Sequence, residues 1–284
     1  RKLQMAPVLT SPTLDMWNFE VADPERGFGI TNLRLTCSMT GTTTEIMFHM
    51  VPCAMQRAAA QVVPKLFLAD LLIHGERLDQ LADLLGELTG VLAEMRAIFG
   101  HVPGGVDQTV FYDVYRPLLD GFFPEGVLFD QVDPAEATAA SGLAGLFEAK
   151  DGQVRGKAKG PSAGQSTMIL LFDIFLGVSH NSSGAEFQEE MLLYMPEPHR
   201  RMVRDYHEKW RRTTSVRRFV GERRQGHGQA GEDLASAYDA CVCALRDLRR
   251  YHLATVTRYL ARTSTGTGAS TWRIFLEGCL DSTE

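Results

Sequence analysis

Several common signatures are missing from the 284-residue chain. It holds no C-x-x-C pair, and its five cysteines, Cys37, Cys53, Cys241, Cys243 and Cys279, are odd in number. Cys241 and Cys243 stand two apart on a helix and point to different sides, so neither a zinc knuckle nor a local disulfide is indicated. Reduced thiols and a cytoplasmic location are the expectation. The histidines show no H-x-x-x-H spacing, which gives no support to a helical zinc or non-haem iron site. The longest apolar run, Met168–Val178, is too short to span a bilayer and contains Asp173, and no signal-peptide pattern is recognisable. Neither is there an excess of positive charge: 29 basic against 35 acidic residues argue against a dedicated nucleic-acid binder. No segment alternates convincingly enough to be read as a sheet, and no internal repeat is found.

What is present is helical periodicity. Residues 1–44 read as irregular, with Pro7, Pro12, Pro24 and a threonine-rich stretch at Thr40–Thr44. A helical domain is expected over 45–284, and the first 44 residues are expected to be a remnant of, or a linker from, a smaller N-terminal domain. Glu45–Ala69 is apolar nearly all round, with Pro52 and Pro64 expected to bend or restart it. Leu78–Phe99 carries a clear apolar stripe and stops at Gly100. Asp107 is placed as N-cap of a short helix running to Arg116. Ser162 with Gln165 three residues on reads as a capping box for a helix over Ala163–Gly177. His199–His227 holds ten Arg or Lys residues against three acids. Met202, Val203, Tyr206, Trp210, Val216, Phe219 and Val220 interleave with them at helical spacing, so these charges are assigned to the wet side of packed helices rather than to nucleic acid.

The stretch with the clearest organisation is Leu234–Ala261, a helix of roughly 40 Å. Tyr238, Cys241, Leu245, Leu248, His252, Val256 and Tyr259 recur at steps of three or four, which places His252 on the buried stripe. A histidine there is either a hydrogen-bonded core residue or a metal ligand. Arg249 lies one turn earlier on the same side, where a guanidinium could meet an acidic group of whatever His252 holds. Asp173, inside MILLFDIFLG, must either face the rim or pair with a cation. Arg116 follows Phe111, Tyr112 and Tyr115 on one face. A guanidinium that grips a carboxylate beside aromatic walls suits an aromatic amino acid, although Arg116 could equally cap the last carbonyls of its helix. Gly160–Gly164 fits G-x-S-x-G, but the polar, basic DGQVRGKAK before it is not the strand that a nucleophile elbow at Ser162 needs. Glu45 and His49, four residues apart, read by themselves as a pair on a solvated face.

These segments together, RRYHLATVTRYL, FYDVYRPLLDGF, GPSAGQSTMILLFDIFLG and LYMPEPHR, resemble the indoleamine 2,3-dioxygenase family of haem enzymes in order and spacing. The resemblance implies an all-α, multi-helix haem-binding bundle that adds dioxygen across the C2–C3 bond of L-tryptophan or a related indole amino acid, giving an N-formylkynurenine. It implies His252 as the iron ligand of haem b, which the missing C-x-x-C-H leaves non-covalent. Asp173 is then expected to pair with Arg249 and turn it toward a haem propionate; a direct bond from Asp173 to His252 is the alternative. Arg116 would hold the substrate carboxylate, Phe111 and Tyr112 the indole, Ser162 and Ala163 the oxygen side of the pocket, and Thr267 the substrate amine. His49 falls where the related tryptophan dioxygenases have a histidine near the indole N–H, and Glu45 where an aromatic is expected. Dioxygen and an unidentified reductant are the expected partners, with no nucleic acid and no membrane. Two other outcomes stay open: a same-fold enzyme that rearranges or mono-oxygenates a modified tryptophan, and a haem sensor or carrier without turnover.

Overall fold

The computed structural model describes residues 5, 8–122, 125–129, 146–150, 153–267 and 271–283, most of them helical. Three helices follow the N-terminal segment: α1 (Thr43–Ala59), α2 (Val62–His74) and α3 (Leu78–Phe99). Thr42 caps α1 by accepting from the Glu45 N–H. Pro52 is carried inside α1, the chain turns at Ala60 and Gln61, and Pro64 falls in the first turn of α2, where a missing N–H loses no helical bond. Two short helices, α4 (Val102–Gly105) and α5 (Gln108–Val110), lead into a π turn at Phe111–Tyr115 and a 3-10 turn at Arg116–Leu119. Asp107 is the N-cap of α5, accepting from the Val110 N–H at 2.8 Å.

The second half contributes α6 (Thr167–Leu176), α7 (Ser182–Leu192), α8 (Glu197–Arg212), α9 (Val216–Arg224), α10 (Gly228–Tyr259) and α11 (Trp272–Asp281). At 32 residues α10 is about 48 Å long. Its most extensive partner is α3. Leu81, Leu85, Leu88 and Leu92 of α3 share one fully buried cluster with Leu234, Cys241 and Leu245 of α10. On α8 and α9, Val203, Tyr206, Trp210, Val216, Phe219 and Val220 are buried in the same core, while most of the intervening arginines stay outside. Among the described residues no helix is long and apolar enough to cross a membrane.

Two details depart from the sequence reading. Small antiparallel sheets are present: β1 (Phe19–Val21) pairs with β2 (Leu33–Leu35), and β5 (Gln153–Gly156) lies between β3 (Val127–Phe129) and β4 (Phe147–Lys150). Strands of three or four residues are too short for a period of two to show. The first sheet packs on α1, with Phe19, Val21, Leu33 and Leu35 around Met50 and Cys53. The capping box at Ser162 is not formed. Ser162 Oγ accepts from the Gly164 N–H at 3.2 Å over a 3-10 turn, and α6 begins only at Thr167. The Gln165 side chain instead bridges the Ser11 N–H at 2.8 Å and the Gly160 carbonyl at 2.9 Å.

Since Leu88 is fully buried in the seam between α3 and α10, Leu88→Ala should lower the unfolding free energy by about 2–5 kcal/mol. Urea unfolding checks this through a lower midpoint at unchanged slope; a midpoint equal to that of the wild type would show that the seam does not carry the fold.

Candidate active site

A cavity of about 350 Å³ lies where α10 outruns α3, with a lining that is mainly apolar. Phe99, the last residue of α3, packs at a tilt against His252 with ring centroids 5.5 Å apart. Beyond that contact the end of α10 is held by Tyr259, whose hydroxyl donates to the Val106 carbonyl at 2.7 Å. Thr255, Val256 and Tyr259 therefore face the cavity rather than α3.

His252 has no hydrogen-bond partner among the described residues. Its ring is only half-buried by area, but the open part is cavity wall. Burial, reinforced by the nearby Arg249 charge, pushes its pKa down to about 4 and keeps the imidazole neutral. Arg249 lines the same cavity and is pinned from behind. Its guanidinium donates to Asp173 Oδ1 and to Thr283 Oγ1, each at 2.5 Å. Asp173 is therefore paired with Arg249, and the alternative bond to His252 is not made. Its other oxygen accepts from His180 Nε2 at 2.9 Å and Gln188 Nε2 at 3.2 Å. A neutral, unpartnered imidazole beside an anchored guanidinium on an apolar wall is a donor set for a flat metal macrocycle with acidic edges.

The rest of the lining comes from segments spread along the chain. Arg116 donates to the Thr265 carbonyl at 2.8 Å, and its Nε has no partner among the described residues. Phe111, Ser162, Ala163 and Thr267 also line the cavity. Thr267 is tied down by its hydroxyl, which donates to the Pro161 carbonyl at 2.6 Å, and by its own carbonyl, which accepts from the Gly160 N–H at 3.1 Å. At Gly160 a Cβ would stand 1.6 Å from the Leu119 carbonyl oxygen, so only glycine lets these three backbone segments meet. Thr267 belongs to the glycine-rich stretch Gly266–Ser270, of which Gly268, Ala269 and Ser270 lie outside the described residues. Tyr112 is not brought to the cavity. The π turn carries it to the outer side, where its hydroxyl donates to the Arg262 carbonyl at 3.2 Å and its ring meets the Arg262 guanidinium. No imidazole is bonded to Ser162 Oγ among the described residues, so a hydrolase nucleophile is not assembled there.

His49 is buried in the cavity wall, and residues that sequence reasoning passed over surround it. Its Nδ1 faces Asp15 Oδ1 at 2.7 Å and its Nε2 meets the Tyr115 hydroxyl. Asp15 Oδ2 accepts from Ser11 Oγ at 2.5 Å, and both Ser11 and Asp15 line the cavity. No sequence signal could have found Asp15, because its partner is 34 residues away.

The sequence model of the family described as indoleamine 2,3-dioxygenase matches residues 1–283. This chain belongs to the indoleamine 2,3-dioxygenase family. It is 29% identical to human indoleamine 2,3-dioxygenase 2 over 92% of its own length and 58% of that protein's. It is 29% identical to a 6-hydroxytryptophan 2,3-dioxygenase of Fusarium equiseti over 81% of its length and 52% of that protein's. A myoglobin of Haliotis diversicolor is 28% identical over 70% of this chain and 50% of that protein. The chain thus spans little more than half the length of these relatives.

Glu45 does not line the cavity or pair with His49 among the described residues. It is buried, at 1% exposure, rather than on a solvated face. Its carboxylate accepts from Ser38 Oγ at 2.6 Å, the Met39 and Thr40 N–H groups at 2.7 Å each, and Thr40 Oγ1 at 2.7 Å. Burial opposes its ionisation, but these donors together hold its carboxyl below the ordinary range. A depressed folded pKa adds stability above the unfolded value, and that stability is lost as pH falls through the folded one. Glu45→Gln should therefore be less stable than wild type at pH 7, with the gap closing below about pH 4. Urea midpoints across pH 3–7 read this, and a gap that does not depend on pH would show that the charge contributes nothing.

Proposed function

We propose that this chain is the haem-binding catalytic part of a dioxygenase that adds both atoms of O2 across the C2–C3 bond of L-tryptophan or a close relative, giving an N-formylkynurenine. One observation carries the reading: His252, Arg249, Arg116, Phe111, Ser162 and Thr267, drawn from across the chain, line a single cavity.

Haem b fits the residues present, and when bound it supplies the binding and activation of oxygen. His252 would hold the iron through a nitrogen that no protein group occupies, in the neutral form that ligation requires. Arg249, kept in place by Asp173 and Thr283, would meet a propionate. Arg116, whose Nε has no partner among the described residues, would grip the substrate carboxylate. Thr267 would lie by the amine, held there by Gly160 and Pro161. Phe111 and Phe48, with ring centroids 4.8 Å apart, give an apolar wall for the indole ring and keep water from it. The reading needs dioxygen and a reductant, and no ionised base at the ring.

Two relatives favour variants of this reading. The 6-hydroxytryptophan 2,3-dioxygenase supports a substituted indole as substrate. The myoglobin supports a haem protein that binds oxygen without turnover. Oxygen uptake with L-tryptophan and with 6-hydroxy-L-tryptophan, followed by mass analysis of the product, separates the three.

Spectra of the ferric and ferrous-CO forms, with and without L-tryptophan, test the central assignment. His252→Ala should lose haem or its histidine-ligated spectrum; a variant that keeps both, with full activity, would overturn the ligand assignment. Arg116→Ala should keep haem yet bind L-tryptophan tenfold to a hundredfold more weakly, the loss of about 1.5–3 kcal/mol expected for a charge-assisted hydrogen bond. Unchanged affinity would remove Arg116 from that role.

A further inference from the structure

Holding Arg249 toward a propionate depends on which way the Asp173 carboxylate faces, and one bond to Arg249 leaves that carboxylate free to turn about its own axis. Two donors on its other oxygen remove the freedom: His180 Nε2 at 2.9 Å and Gln188 Nε2 at 3.2 Å. His180 reaches Asp173 because Gly177, in the left-handed region at φ 68°, ends α6 and turns the chain back, with the Val178 N–H on the Asp173 carbonyl at 2.9 Å. A carboxylate only accepts, so His180 donates from Nε2 and, when neutral, keeps its lone pair on Nδ1. The Asp173 and His180 side chains are buried, at 4% and 5% exposure. On its far side His180 lines a second cavity of about 260 Å³ between α7 and α11, together with Phe187 and Phe275. The imidazole is thus the layer between that cavity and the Asp173–Arg249 pair. Removing it would take away the shorter of the two bonds on Oδ2 and open the pair to water, which weakens the attraction within it.

We propose that His180 is a positioning residue for the propionate contact. By donating to Asp173 Oδ2 it fixes the face that Oδ1 turns to Arg249, and so the direction in which the guanidinium enters the cavity. Gln188 shares Oδ2 at the longer distance and lines the haem cavity itself, whereas His180 acts wholly from behind it. Thr283 holds the other guanidinium nitrogen at 2.5 Å, so losing His180 weakens the hold on the propionate without abolishing it. The inference rests on the reading of the cavity as a haem site, and extends it to a residue outside the cavity lining.

Haem transfer to excess apomyoglobin reads this contact without any turnover, and haem dimethyl ester, whose blocked propionates carry no charge, is the control. The wild type should release the ester faster than haem. His180→Leu should release haem about fivefold faster than the wild type, the order of one hydrogen bond, yet release the ester at the wild-type rate. His180→Gln offers an amide N–H at similar reach, and should bring haem release back close to the wild-type rate. A His180→Leu protein that loses both porphyrins equally faster has only been loosened, and that result overturns the proposal. So does a His180→Gln protein no better than His180→Leu, or a His180→Leu protein that keeps haem as the wild type does. Should His180→Leu fail to fold, 15N-histidine spectra of the wild-type ferrous-CO form decide: His180 should carry a proton on Nε2, and a bare Nε2 there would refute the bond to Asp173. Equal release of haem and ester by the wild type, or no uptake of haem at all, is a different failure. In that case the haem reading of this wall falls first, and the role of His180 falls with it.

Discussion

Leu81, Leu85, Leu88 and Leu92 on α3 and Leu234, Cys241 and Leu245 on α10 are fully buried in one cluster, and the positions of Arg249 and His252, which α10 carries, depend on that seam. It sets the axis of a helix about 48 Å long, more than α3 alone can cover. Where α3 ends at Phe99, α10 continues past it, and the apolar stripe loses its partner. The cavity is the result. Its far limit is set by the bond from Tyr259 to the Val106 carbonyl, so the space between the Phe99–His252 contact and that bond is kept open by packing at both ends.

Charge is placed in the cavity wall with unusual care for an apolar interior. Burying an ion pair seldom adds net stability, because desolvation offsets most of the Coulomb attraction. Asp173 is nevertheless buried with three donors on it, Arg249, His180 and Gln188. The arrangement leaves one edge of a guanidinium directed at the cavity while its counter-charge stays behind. Asp15 repeats the device near His49, accepting from Ser11 and facing the imidazole Nδ1. Each carboxylate acts through a neighbour, since one orients a guanidinium and the other an imidazole ring.

The N-terminal segment belongs to this machinery. Read from sequence as irregular, residues 12–35 form a π turn, a two-stranded sheet and short 3-10 turns, and the sheet packs on α1. Ser11 and Asp15 enter the cavity wall from there, and Gln165 ties Ser11 to the Gly160 region. Proline, short strands and the absence of any apolar period hid this part from the sequence. Its contacts are long-range, and its order comes from α1 rather than from its own propensity.

By itself the sequence determined the mainly helical fold, the restart of the chain with Pro64 in the first turn of α2, and the stripe that carries His252 with Arg249 one turn before it. These follow from steps of three and four residues, which any helix imposes on its own side chains. Only the tertiary structure decided the pairings: Asp173 with Arg249 and not His252, Asp15 with His49, Glu45 with the Ser38–Thr40 turn, and Tyr112 facing away from the cavity. Asp173 and Arg249 are 76 residues apart and Asp15 and His49 are 34 apart. Periodicity says which way a side chain points from its own helix; which group it meets is set by how separate elements pack, and a single π turn is enough to send Tyr112 outward while Phe111 and Tyr115 stay in.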